Sequence, residues 1–137
     1  MPARVLMVGF DGMEPTLLER EFGAGHLPNL AALRRRARVY TARNLPGFGQ
    51  GVFWPCMYTG VNPGVHGRFF RLAFNRRRYT VGRFEEDTDV RSPPFWQRLD
   101  ERGLKTGAID VLECPLASLR HGVQVADWLT HDATGRP

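Results

Sequence analysis

Arg4-Val5-Leu6-Met7-Val8-Gly9-Phe10-Asp11-Gly12-Met13 is the run whose reading decides the fold. Val5, Leu6, Met7 and Val8 are an unbroken apolar stretch, the pattern of a strand covered on both faces in a parallel sheet. It stops at Asp11-Gly12, a carboxylate and a glycine, at the end where open α/β sheets gather their ligands. Asp-Gly is also an ordinary turn pair. The weight of the reading therefore comes from residues further along the chain.

Next, Glu14 to Phe22 is expected to be a short helix with Pro15 in its first turn, stopped by Gly23-Ala24-Gly25. Leu27, Leu30 and Leu33 then recur at helical spacing in a second helix, and Arg38 to Arg43 alternates as a strand would. A βα(α)β opening of this kind predicts an α/β layered domain. Asn44 to Gln50 is a glycine-containing loop that leads into a helix over Val52 to Tyr58. Thr59-Gly60 stops that helix, and Asn62 to Gly67 is dense in turn residues.

Arg68 to Phe84 alternates aromatics with arginines and predicts a hairpin, followed by an acidic connection over Glu85 to Asp89. Ser92 is the expected N-cap of a helix carrying Phe95, Leu99 and Gly103. Strands are expected at Lys105 to Leu112 and at Val123 to Trp128. The architecture that results is a single α/β domain over residues 1–137, with a layered, mostly parallel sheet, flanking helices and a hairpin inserted at 68–84. Thr130 to Pro137 runs out in polar and small residues with no closing helix. The chain is therefore expected to be a fragment of a larger domain, incomplete at its C-terminus.

Composition narrows the class. With 42% hydrophobic and 24% charged residues over 137 positions, the chain has the make-up of one globular domain. No apolar run approaches the roughly 18–20 residues of a membrane span, and no secretory signal opens the chain. Cys56 and Cys114 are too few for a disulfide scaffold and lack metal-ligand spacing, so both are expected as reduced thiols in a cytoplasmic protein. The net charge of +5 comes from arginine, because Lys105 is the only lysine. Arg34-Arg35-Arg36 falls at a helix end, where cations complement the macrodipole, and Arg76-Arg77-Arg78 falls in the hairpin. No helix-turn-helix, zinc-finger or RNA-binding signature accompanies them, so neither a specific nucleic-acid partner nor a membrane is expected. The sequence assigns no oligomeric state, although a sheet cut short would expose an edge that invites self-association.

The segment from Asn44 to Gly67 departs most from plain structural need. Glycines before a helix present backbone N–H groups to an anion, and glycines also simply make turns. Val8-Gly9-Phe10-Asp11-Gly12-Met13, then Leu27-Pro28-Asn29-Leu30, then Trp54, then Thr59-Gly60-Val61-Asn62-Pro63-Gly64 with His66-Gly67 occur in order. Together they resemble the opening of the type I phosphodiesterase and nucleotide pyrophosphatase family, in the alkaline phosphatase superfamily. The match covers residues 3 to about 67, and Asp127-Trp128 with Thr130-His131-Asp132 is similar to a stretch in some bacterial relatives.

The resemblance implies an alkaline-phosphatase-like fold and a hydrolase with two divalent metal ions, usually zinc. Such a pair clamps the attacking and leaving oxygens of a phosphoryl group. It implies phosphate-ester or nucleotide substrates, and it puts Asp11 at the position of the first metal-ligating aspartate. It also puts Gln50 where the family carries a Thr or Ser nucleophile. A glutamine amide cannot form the covalent phospho-enzyme that a hydroxyl can. Three readings stay open: attack by a metal-bound hydroxide, a re-aligned loop, or a degenerate site retained for binding or scaffolding. Thr59 belongs to the turn, Thr41 lies on the wrong side of the loop, and His66 is best read as shaping the loop. The remaining family ligands lie beyond this length, and His26, His121 and His131 are scattered, so the chain alone is expected to hold no metal pair and to be inactive.

Overall fold

A computed structural model describes residues 4–48, 50–70, 72–83 and 90–125. The chain forms two compact units, Met1–Ala42 and Arg43–Pro137. The first contains α1 (Pro15–Gly23) and α2 (Pro28–Arg36). Both begin with proline, whose fixed φ suits the first turn and whose missing N–H is not needed there. Glu14 caps α1, its carboxylate accepting from the Thr16 and Leu17 amides at 3.0 and 2.6 Å. At the other end Gly25 takes φ +76 and the His26 amide reaches back to the Glu21 carbonyl, a glycine-dependent stop. Arg34 joins the helices, pairing with Glu19 at 2.7 Å and lying over the Phe22 ring. Neither helix buries a residue.

The expected first strand is corrected here. Residues 4–10 form no strand, and Val5 and Leu6 are 90% and 88% exposed. The run has a strand's composition, but a strand exists only where its N–H and C=O groups find a ladder, and none does among the described residues. Arg38 to Arg43 fails as a strand for the same reason.

The second unit opens with a 3₁₀ turn at Gln50–Val52 that runs into α3 (Phe53–Thr59), close to the expected helix. Gly60 stops it in the left-handed conformation at φ +70, and α4 (Pro63–His66) ends likewise at Gly67. Then β1 (Leu72–Asn75) and β2 (Thr80–Arg83) pair antiparallel, Leu72 opposite Arg83 and Asn75 opposite Thr80. The next helix, α5 (Phe95–Asp100), is capped by Pro94 rather than by the expected Ser92, which is buried instead. It ends in Glu101–Gly103, with Gly103 at φ +78 and the Leu104 amide bonded to the Leu99 carbonyl.

β3 (Gly107–Ile109) and β4 (Val123–Val125) pair parallel, Gly107 opposite Val123. β3 is shorter than the sequence predicts, and residues 126–128 of the expected last strand lie outside the described ones. The described sheet structure is thus one antiparallel and one parallel pair in a small α/β chain. The approach of the parallel pair depends on Gly122. A Cβ there would stand 2.8 Å from the Thr106 carbonyl oxygen, the same oxygen that accepts from the Val123 amide.

The core of this unit is Tyr58, Trp96, Ala108 and Cys114, with Trp54, Met57, Val90, Val111, Ala117 and Leu119 around it. Tyr58 from α3 and Trp96 from α5 bring ring centroids to 5.9 Å. Gln124 ties β4 to this core. Its Oε1 accepts from the Trp96 indole at 3.2 Å and the Ala117 amide at 2.9 Å, and its Nε2 donates to the Pro115 carbonyl at 3.0 Å. A polar side chain within a short strand is tolerated because both ends of its amide are satisfied.

Candidate functional site

Asp11 stands on a two-residue turn with Gly12, which takes φ +67. The carboxylate is exposed and reached from solvent, at the end of the apolar run and before the Glu14 cap. In the second unit Gln50 opens the 3₁₀ turn that feeds α3. Phe48, just before it, packs against Phe69 and Phe70 with centroids at 5.8 and 6.1 Å. The loop approaching Gln50 is thereby held against the segment that leads into β1.

The other polar residues of this stretch are committed to structure. The Thr59 hydroxyl is buried and donates to the Pro55 carbonyl one turn back, while accepting from the Val61 amide at 3.4 Å. Its hydroxyl finishes α3 and starts the Gly60 turn. His66 is fully buried. The Arg68 amide donates to its Nδ1 at 3.2 Å, which leaves the ring proton on Nε2, 3.3 Å from the Cys56 sulfur. Burial, with the Arg68 guanidinium adding to it, pushes the imidazole below its ordinary range, and burial pushes the Cys56 thiol up. Neutral thiol beside neutral imidazole is not the thiolate–imidazolium pair that makes a nucleophile. Because the His66 carbonyl also accepts from the Arg91 amide at 2.9 Å, this histidine shapes the loop.

Sequence reasoning missed the group beneath it. Arg68, which reads as one more arginine of the hairpin, is 3% exposed. Its guanidinium meets the Glu113 carboxylate at 3.0 Å and the Glu113 carbonyl at 3.4 Å, and that carbonyl also accepts from the Tyr58 hydroxyl at 2.8 Å. Glu113 is held at φ +54, where a side chain other than glycine is rarely found. The loop following β3 is thus pinned to α3 and to the turn after α4. No local pattern announces it, since the partners lie 45 and 55 residues apart.

The remaining histidines are placed elsewhere. His26 pairs with Glu21 at 2.7 Å on the surface of the first unit. His121 is exposed, and its backbone amide, with that of Arg120, is bound by the buried Asp100 carboxylate at 2.7 Å. His131, Asp132 and Asp127-Trp128 lie outside the described residues. Among the described residues no three His, Cys, Asp or Glu side chains converge on a point able to hold a metal ion. These donors alone do not fit a two-metal centre.

Helices beside a short parallel pair, and a glycine-bearing loop that enters a helix at Gln50, place this chain in the small α/β class. The family is established by comparison with known sequences. A profile of the type I phosphodiesterase / nucleotide pyrophosphatase family matches residues 5–127, and the chain belongs to that family. No curated protein and no solved structure matches it. Membership implies a phosphoester-hydrolase domain of alkaline-phosphatase-like fold, from a family that acts on phosphate esters or nucleotides and generally depends on metal ions.

Proposed function

We propose that this chain contributes the N-terminal part of a metal-dependent phosphohydrolase site of the phosphodiesterase type, with Asp11 as a ligating carboxylate. The observation that carries the reading is the family match from residue 5 to 127, which spans both Asp11 and the loop at Gln50. Divalent ions, zinc in this reading, would supply charge neutralisation to the phosphoryl group when bound. Asp11 suits such an ion as an anionic oxygen donor on an accessible turn. The other ligands come from outside the described residues, and the chain by itself is inactive in this proposal. The hairpin from 68 to 84 is taken as an insertion in the hydrolase domain, and two cysteines outside any disulfide accord with a cytoplasmic setting.

Gln50 favours a second reading, a degenerate relative that keeps a phosphate-ester site for binding or scaffolding. An amide can donate hydrogen bonds to phosphoryl oxygens but cannot accept the phosphoryl group covalently. Elemental mass spectrometry and bis(p-nitrophenyl) phosphate hydrolysis, on this chain and on a longer form in the same reading frame, separate the two. Zinc near two per longer chain, lost on Asp11→Asn, with measurable hydrolysis is the expected result. Metal without hydrolysis, still absent in Gln50→Thr, would leave the degenerate reading. No metal in either form would overturn the metal-dependent enzyme.

A further inference from the structure

The β1–β2 hairpin carries features that neither the core nor the candidate site uses. Its turn is Arg76-Arg77-Arg78-Tyr79, set by the Asn75 side chain, whose Oδ1 accepts from the Arg77 and Arg78 amides at 3.0 Å each. The three guanidinium-bearing residues are exposed, and among the described residues no carboxylate pairs with them. In sequence no acidic residue occurs from Arg68 to Phe84. Tyr79 is held at φ +54 and is 84% exposed. A bulky residue in the left-handed region is strained, and here no burial offsets the strain. Its ring meets Phe74 edge-on at 5.2 Å, and Phe74 is itself half exposed.

We infer that this hairpin is a binding arm for single-stranded nucleic acid, read without sequence preference. Exposed arginines engage successive phosphates, and the open faces of Tyr79 and Phe74 take stacked bases, the two ingredients of such sites. An anionic membrane fits less well. Insertion needs apolar groups at the extremity with cations behind them, and here three of the four turn residues are arginines and Phe74 stands behind them on β1. The base of the arm adjoins Phe69 and Phe70, which pack on Phe48 before Gln50, so a strand on the arm lies next to the candidate loop.

The test is fluorescence anisotropy with a fluorescein-labelled oligothymidine of about 15 nucleotides, within the span such folds cover. It is run in EDTA, so that its outcome is independent of the metal and of the hydrolase reading. The protein is expected to bind at low salt. Replacing Arg76, Arg77 and Arg78 by serine should weaken binding at least about tenfold and flatten the log–log salt slope by about 2, from roughly 0.7 per phosphate contact. Tyr79→Ala and Phe74→Ala should each weaken binding about tenfold with the slope unchanged, and far-UV circular dichroism should be unaltered in every variant. The inference falls if the oligonucleotide does not bind or if the serine variant binds as well as the parent. It falls equally if ring removal has no effect, which marks a mere polyanion contact, or if phosphatidylserine vesicles capture the protein through these residues while the oligonucleotide does not.

Discussion

The two units of this chain make opposite use of their apolar residues. In Arg43–Pro137, Tyr58 and Trp96 close a core, and even polar Arg68 and Asp100 are buried with partners supplied by distant segments. In Met1–Ala42 the helices bury nothing, and the most apolar run of the chain stands exposed. What differs is partnership. Buried polar groups hold when both ends of each interaction are present, whereas an apolar strand sequence without a ladder has nothing to become. The described candidate residues divide the same way: His66 and Thr59 are immobilised in structure, and Asp11 stays on an open turn.

The comparison breaks most visibly at Arg68. Arg68→Met should remove about 3–5 kcal/mol, because it strands a carboxylate in a mostly enclosed place. Arg68→Met with Glu113→Leu should recover a large part of that, and urea titrations of the single and double variants would show it. If the single change left the midpoint where it was, the buried pair would not be holding the second unit together. Gly122→Ala comes next, at about 1–3 kcal/mol, the cost of forcing a Cβ against the Thr106 carbonyl. Tyr58→Phe is smaller, about 1 kcal/mol, since the Glu113 carbonyl retains its bond from Arg68.

Acid should lower the stability of the second unit in two stages. His66 is held neutral by burial, with its folded pKa lowered. Above the unfolded value of about 6.5 it has no effect on stability, and below that the unfolded chain takes up the proton first, so stability declines. Asp100 is lowered chiefly by the Arg120 amide, with the His121 amide adding to it. Its contribution is present above an unfolded value of about 3.9 and is lost as pH falls through the lower folded value. Asp100→Asn should remove only the second stage in a pH series of thermal melts. The smallest effect belongs to the first unit. Glu14→Ala should speed amide exchange at Thr16 and Leu17 and leave the melting temperature unchanged. A global shift there would show that the cap matters beyond its own helix.

Much of this was legible one residue at a time. The prolines and glycines that bound α1, α2 and α3 act through local φ preferences, and a sequence displays those directly, whereas the single helical turn of α4 lies in a stretch that reads as a loop. The Arg34-Arg35-Arg36 cluster was expected at a helix end and occupies the last turn of α2. The order of motifs around Asp11, Thr59-Gly60 and His66-Gly67 was enough to place the family, which the profile match then established. Strands were read less well. Val5 to Val8 has the composition of a strand, Gly107–Ile109 is shorter than its pattern, and Ser92 has a cap's chemistry but is buried. In each case local composition alone did not decide the outcome.

The sequence alone thus determined the α/β class, the boundaries of α1, α2 and α3 to within a few residues, the family and the glutamine at position 50, because each rests on local conformational preference or on the order of residues. Only the tertiary structure decided that Arg68 is a core residue and that Gln124 ties a strand to Trp96. It alone showed that His66 is locked neutral against Cys56, and that Tyr79 is held strained and open at the tip of a basic arm. Those outcomes depend on which groups the folded chain brings together and encloses, where desolvation, hydrogen bonding and ring contact set the energy.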